Sequence, residues 1–117
     1  MARFLLSRSH FAATKGRVKF AAFLPGPEGA LSMYAVQGLA DPAVWELGDR
    51  WVAAPATRTV HARAELESRL IREPLRIELD DDPPRHRSVI GWLAEASEQQ
   101  QLALELANAA RLLMRSA

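Results

Sequence analysis

Three histidines are the residues of this chain best suited to acid–base chemistry, and each lies within two residues of an arginine. An imidazole titrates near neutral pH, whereas a neighbouring guanidinium keeps a fixed positive charge that binds phosphate or carboxylate. If folding brings these groups together, the pattern predicts an anion site with a general acid or base. The candidate catalytic residues are His10, His61 and His86. The candidate anion-binding residues are Arg8, Arg63, Arg85 and Arg87.

The competing interpretation is that these pairs arise by chance, because 13 of the 117 residues are arginine. A site needs histidines that are close in space, and closeness to arginine in the sequence does not predict that. The chain has no His-x-His or His-x3-His spacing and no cysteine, so we expect no metal site and no cofactor. Three aspartates before two prolines, residues 80–84, predict a solvated turn rather than a cation site. Nucleotide-binding glycine loops and the G-x-S-x-G nucleophile motif are absent.

The net charge of +1 conceals an uneven distribution along the chain. Residues 1–27 carry five bases and no acid, residues 28–84 have a net charge of −5, and the remainder has a net charge of +1. Either the basic first quarter contacts an anionic partner, or its bases pair with the acids of the middle segment. The sequence leaves both interpretations open.

The length of 117 residues and the hydrophobic content of 49% predict one domain with a substantial core. The absence of cysteine excludes disulfides and fits a cytoplasmic protein. The apolar run near the start is too short for a signal peptide, and no run of about 18 apolar residues predicts a membrane span. We therefore expect a cytoplasmic protein that makes no membrane contact.

Alternation of apolar and polar residues predicts the strands that would position these side chains. The predicted strands cover residues 4–6, 17–24, 30–36, 57–62, 75–80 and 87–92. In the clearest of them Leu75, Ile77 and Leu79 point to one side. This alternation predicts an interior strand whose apolar face is buried under the C-terminal helix.

Three helices are expected between and after these strands. Asp41-Pro42 predicts a helix start, and Pro55 predicts its end. A short helix is expected over residues 64–72, and the capping pattern of Ser97 and Gln100 predicts a long helix over residues 97–115. Residues 1–117 are therefore predicted to form a single α+β domain. Its mostly antiparallel sheet of about four to six strands carries the long C-terminal helix and the two shorter helices.

The outer face of the predicted C-terminal helix carries two leucines among polar residues. At about 100° per residue, Leu104 and Leu112 fall outside the apolar stripe that faces the sheet. Single exposed leucines are ordinary, but two beside arginines resemble the apolar centre and charged rim of an interface. The pattern predicts a homodimer or a different protein partner. The residues expected to contact it are Leu104, Arg111, Leu112 and Arg115.

At SRSHF, HARAEL and PPRHRSVIGW the chain resembles a group of small, uncharacterised bacterial proteins. Their pattern has S-H-F near the start, R-A-[DE]-L in the middle and P-P-R-H-x-x-I-x-G-W before a terminal helix. The matching residues here are His10-Phe11, Arg63 to Leu66 and Pro83 to Trp92. In that pattern a proline often follows the tryptophan, whereas Leu93 follows it here. The resemblance implies a bacterial origin and a role for Arg85 and His86, and it implies no activity.

Two functions of different class remain. The first is a binding or accessory module, without chemistry of its own, that contacts a protein partner or an anionic ligand such as phosphate or nucleic acid. The second is a small enzyme acting on a phosphate-bearing or nucleotide-like substrate, with a histidine as acid or base and arginines as anion clamp. We favour the binding module, because no catalytic motif accompanies the histidines. Convergence of the histidines in one pocket would favour the enzyme instead.

Overall fold

A six-stranded antiparallel sheet is the centre of the computed structural model, which describes residues 1–115. The strands of the protein are β1 (Ala2–Leu5), β2 (Phe11–Ala12), β3 (Arg17–Val18), β4 (Leu31–Tyr34), β5 (Ala62–Glu65), β6 (Arg76–Leu79), β7 (His86–Ile90) and β8 (Arg111–Met114). The order across the sheet is β6-β7-β4-β1-β5-β8, and every neighbouring pair is antiparallel. β2 and β3 pair with each other in a separate hairpin. β6 and β8 are therefore the two edges of the sheet.

Helices cover both faces of this sheet. On one face lie α1 (Asp41–Gly48), a π-helical turn that continues it (Asp49–Ala53), and α2 (Ala54–Ala56). On the other face α3 (Ala96–Ala109) packs against a 3₁₀ helix (Phe20–Phe23). An apolar core lies between each helical layer and the sheet, so the chain is a single α+β domain. Within residues 1–115, no helix has the length and apolar content needed to cross a membrane.

β1 lies in the middle of both cores. Because successive side chains of a strand point to opposite faces, Phe4 is buried beneath α1 and Leu5 is buried beneath α3. Gly48 allows α1 to approach the sheet closely, since a Cβ atom at this position would lie 2.6 Å from the Phe4 ring. The helix therefore needs a residue without a side chain where it crosses β1.

Arg3 fills a gap between β1 and β4. These two strands are in register at a single pair, Ala2 with Tyr34. The Nε of Arg3 donates to the main-chain oxygen of Ala22, and Nη1 donates to that of Ser32, both at 3.0 Å. The guanidinium thus satisfies one carbonyl group of β4 and one of the 3₁₀ helix, and it links the sheet to that helix.

The predicted C-terminal helix over residues 97–115 is wrong beyond Ala109. α3 begins at Ala96 without a side-chain cap, and Ala110 takes extended angles (φ −80°, ψ 149°). Residues 111–114 form β8, which pairs with β5 along its whole length. Helix propensities differ by only about 0.7 kcal/mol among ordinary residues, so the hydrogen bonds and burial offered by the edge of β5 decide the conformation.

Three other predicted elements are also wrong. The strand expected over residues 57–62 overlaps the observed β5 at Ala62 alone. The segment expected to be a helix over residues 64–72 continues β5 to Glu65 and then forms only a 3₁₀ turn, Ser68–Leu70. The strand expected over residues 17–24 stops at Val18, after which the chain forms the 3₁₀ helix. In the segments 17–24 and 64–72, the apolar residues are buried by packing against α3 or β1. They do not form the element that the local sequence pattern predicts.

The strand predicted over residues 75–80 exists as β6, but it is an edge strand rather than an interior one. Leu75 is buried, Ile77 is half-buried, and Leu79 is 75% exposed. Alternation correctly predicts which side chains share a face, but it does not specify how many strands lie beside them. α3 therefore covers the start of this apolar row and not its end.

A matched pair of substitutions on one row of the sheet tests this placement. Ile77, Val89 and Leu31 are adjacent across β6, β7 and β4. Leu31→Ala should lower the free energy of unfolding by about 2–5 kcal/mol, because Leu31 is fully buried. Ile77→Ala should cost about 1 kcal/mol or less, because its side chain is already partly in water. Denaturant melts measure both values, and equal losses would contradict the edge position of β6.

Candidate functional site

Arg63, a predicted anion ligand, is buried beneath α1 and is paired within the protein. Its side chain is 3% exposed. Its Nη2 donates to Asp41 Oδ1 at 2.8 Å, and its Nε donates to Glu65 Oε2 at 2.7 Å. The guanidinium carbon lies 4.5 Å from the centre of the Trp45 ring. Arg63 therefore joins β5 to the start of α1 and is not available to a dissolved anion.

Arg115 makes a second link between the sheet and the helical layer. Its two terminal nitrogens donate to the two carboxylate oxygens of Asp49 at 2.6 and 2.7 Å. These hydrogen bonds lower the pKa of Asp49 and raise the pKa of Arg115. The guanidinium carbon of Arg115 lies 5.4 Å from the centre of the same Trp45 ring. Arg63 on β5 and Arg115 directly after β8 thus both contact the ring of Trp45.

The partner surface predicted on the C-terminal helix does not form as one helical face. Of the four residues expected there, only Leu104 lies on α3, where it is 40% exposed. Leu112 is half-buried on β8 and packs against the core beneath α3. Arg111 lies opposite Glu65, with 4.0 Å between its Nη2 and the carboxylate Oε1, and Arg115 is paired with Asp49. The end of α3 at Ala109 separates these side chains.

The Arg85-His86-Arg87 cluster is held by contacts within the protein. Arg85, whose φ of 67° lies in the left-handed region, donates from Nη1 to the carbonyl oxygen of Ala35 at 3.2 Å. Arg87 donates from Nη1 to Asp81 Oδ1 and to the His86 carbonyl oxygen, both at 2.8 Å. His86 is buried, with Nδ1 3.5 Å from Asp80 Oδ2. The two guanidinium groups therefore fix the turn before β7 and do not form a clamp.

The three histidines are not gathered in one pocket. His86 lies opposite Tyr34 of β4, which in turn lies opposite Ala2 at the start of β1. The amide of His61 donates to the Leu5 carbonyl oxygen at the other end of β1, about 10 Å further along the strand. His10 lies outside the sheet, where its carbonyl oxygen accepts from the Lys19 amide at 2.9 Å. The described residues therefore do not supply the shared acid–base site that the enzymatic interpretation requires, and residues 1–115 contain no cluster of metal-ligating side chains.

The remaining predicted site residues, Arg8 and His10, belong to a compact segment that we call the cationic hairpin, residues 8–19. It consists of a 3₁₀ turn, Arg8–His10, followed by β2 and β3. Phe11 and Val18 face each other and are buried in the core beneath α3. The next pair, Ala12 with Arg17, therefore points away from the core. The apolar side anchors the hairpin and its polar side faces solvent.

The bases of the cationic hairpin have no acidic partners. Within residues 1–115, no carboxylate lies within 4.0 Å of the charged nitrogens of these side chains or of the nearby Arg58. The exposed bases are Arg8, Lys15, Arg17, Lys19 and Arg58. Five acids of the middle segment pair with Arg63, Arg69, Arg87 and Arg115 instead. Of the two interpretations of the charge distribution, the ion pairs thus support an unneutralised basic surface.

The pKa of His10 is affected by the positive charges near this surface. Burial lowers its pKa, and the nearby positive charges of Arg3 and Arg58 lower it further. Arg58 is held beside the hairpin because its Nη2 donates to the Leu6 carbonyl oxygen at 2.7 Å. His10 is therefore mainly neutral at pH 7, and a bound anion would favour its protonated form.

Sequence reasoning named Arg8 and His10 as site residues, and it left open whether the basic first quarter, which includes Lys15, Arg17 and Lys19, contacts an anionic partner. It did not identify Arg58. The signal for the bases of the hairpin is the absence of any acid in residues 1–27. Arg58 had no such signal, because only the fold brings it beside His10. No protein-family profile, curated protein sequence or solved structure matches the chain.

The pKa of His10 should respond to its neighbours. We expect a folded-state pKa below the ordinary value of about 6.5, and we expect Arg58→Ala to raise it, because a repelling charge is removed. Titration of the imidazole signals by NMR measures both values. Arg69→Ala, which removes an exposed arginine paired with Glu67, is the control and should leave the pKa of His10 unchanged. An Arg58→Ala titration identical to wild type would show that Arg58 does not act on His10.

Proposed function

We propose that the protein is a small binding or accessory module, without chemistry of its own, that binds single-stranded nucleic acid on the cationic hairpin. The observation that supports this proposal is the set of unpaired bases on the hairpin and at Arg58. Arg63 and Arg115, by contrast, are each neutralised by a carboxylate within 3 Å. Bases without internal partners leave a positive potential at the surface, and a phosphate backbone neutralises it with release of counterions.

The shape of the surface favours a polymer over a small phosphate. Four cavities of about 230–370 Å³ lie beside Met1, beside β6, between α3 and residues 70–75, and beside α1. None of these four is lined by a residue of the cationic hairpin or by Arg58. Small phosphate ligands usually occupy concave sites, whereas an extended polyanion makes many weak contacts along an open surface.

An exposed aromatic residue favours a single strand over a duplex. Phe20 follows Lys19 directly and is 37% exposed, although the other three phenylalanines are buried. A base unstacked from its neighbours stacks on such a ring, and aromatic residues between basic ones are typical of single-strand binding surfaces. The bases of a duplex are already stacked and paired, so Phe20 offers them no comparable contact. A cytoplasmic location is part of the proposal and fits the cysteine-free sequence.

The proposal is tested by the salt dependence of binding. Labelled single-stranded and duplex oligonucleotides are titrated with protein at several salt concentrations, and fluorescence anisotropy measures the affinity. Wild type should prefer the single strand. The triple variant Lys15→Ala, Arg17→Ala, Lys19→Ala should bind at least tenfold more weakly. The slope of log affinity against log salt should fall by about 2, since each phosphate contact contributes about 0.7.

The control removes the same number of charges from other surfaces. Arg50→Ala, Arg69→Ala, Arg72→Ala replaces three exposed arginines outside the hairpin and should leave affinity and salt slope near the wild-type values. Equal losses in both triple variants would mean that only the net charge matters. Absence of binding by wild type at low salt would refute the proposed function.

A further inference from the structure

We propose that a second copy of this chain docks on the free edge of β6 and joins two sheets into one of twelve strands around a two-fold axis. β6 pairs with β7 on one side, and no strand of residues 1–115 lies on its other side. An open edge of this kind presents main-chain donors and acceptors to a further strand. This inference is independent of the proposed nucleic-acid function.

The free main-chain groups of β6 are those that a two-fold pairing needs. Asp80 N–H donates to the His86 carbonyl oxygen at 3.3 Å, in the same register that pairs Arg76 with Ile90. Because hydrogen-bonded positions alternate in an antiparallel pair, Arg76, Glu78 and Asp80 direct their main chains to β7. Ile77 and Leu79 therefore direct their N–H and C=O groups outward. Two copies of Ile77 placed opposite each other form a reciprocal pair of hydrogen bonds across the axis.

The side chains of β6 are complementary to themselves in this register. With Ile77 on the axis, Arg76 of each copy lies opposite Glu78 of the other, at a non-hydrogen-bonded pair where side chains are closest. Both side chains are exposed, and neither forms an ion pair within residues 1–115. On the opposite face, Leu79 lies opposite Leu75 of the other copy. Two reciprocal ion pairs thus cover one face and a row of apolar side chains covers the other.

The other edge of the sheet does not offer this complementarity. β8 reads Arg-Leu-Leu-Met and contains no acid. A two-fold pairing centred on Leu112 would place Arg111 opposite Leu113 of the second copy, and one centred on Leu113 would place Leu112 opposite Met114. No opposite charges would meet in either register. β3 also lies beside β8. Of the two edges, β6 is therefore the one whose side chains are complementary to those of a second copy. The cationic hairpin, which contains β3, lies at the opposite edge of each sheet.

The most exposed apolar side chain of the edge also favours association. Leu79 has 75% of its surface exposed, more than any other large apolar residue among the described ones. A cavity of about 300 Å³ beside it is lined by Ile77 and Val36. In the proposed dimer, Leu79 lies against Leu75 of the other copy, directly before β6, and this contact removes apolar surface from water.

Charge reversal tests the pairing, with sedimentation equilibrium over a wide range of protein concentration as the measurement. Wild type should reach twice the chain mass of 13.0 kDa. Arg76→Glu and Glu78→Arg should each weaken the dimer at least tenfold, because each places like charges opposite one another. The double variant Arg76→Glu, Glu78→Arg restores opposite charges at both pairs and should recover the dimer. Thermal melting confirms that each variant is folded.

Leu104→Gln, which changes the exposed leucine of α3, is the matched control and should leave the dimer intact. The proposal is overturned if wild type stays monomeric, if the single reversals leave a dimer unchanged, or if the double reversal fails to restore it. Dissociation by Leu104→Gln alone would assign the interface to α3 instead.

Discussion

The buried guanidinium of Arg63 is the constraint on which the charge distribution of this protein depends. A charge removed from water is costly unless it is paired and hydrogen-bonded. Two of its nitrogens meet this requirement with Asp41 at the start of α1 and Glu65 two residues along β5, the face of Trp45 lies against the guanidinium, and Nη1 is buried without a hydrogen-bond partner among residues 1–115. Loss of either the arginine or its carboxylates would leave an unpaired polar group where α1 meets the sheet.

This pairing determines which charges remain free. Asp41 and Glu65 pair with Arg63, Asp81 pairs with Arg87, and Asp49 pairs with Arg115, so four acids of the middle segment find their partners in the second half of the chain. The five bases of residues 1–27 receive no acid from it. One of them, Arg3, is used inside the fold as a donor to two carbonyl oxygens. The other four lie on the cationic hairpin, and Arg58 joins them from the loop before β5. A net charge of +1 is thus compatible with a strongly basic local surface.

Much of the fold can be predicted from the sequence, but the ends of the helices and strands and the order of neighbouring strands cannot. Alternation predicted β4, β6 and β7, and Asp41-Pro42 predicted the start of α1, because these signals act within a few residues. The conformation of residues 111–114 was predicted wrongly, since Leu113 and Met114 continue the apolar stripe of the predicted helix and only the free edge of β5 makes this segment a strand. The burial of Arg63 was also unpredictable, because it depends on Asp41, 22 residues away. For the site, the acid-free first segment was a usable signal, whereas the position of Arg58 follows from the three-dimensional structure alone.

The most direct test of the account is to map where single-stranded nucleic acid contacts the protein. The wild-type protein, uniformly labelled with ¹⁵N, is titrated with a short single-stranded oligonucleotide, and the amide and arginine Nε–H signals are followed by NMR. Binding on the cationic hairpin should give shifts concentrated in residues 8–20 and at Arg58. The Nε–H signals of Arg63 and Arg115 should stay in place, because their carboxylate partners are retained. Shifts centred on α1 and β8, or shifts at Arg63 without shifts in the cationic hairpin, would contradict it.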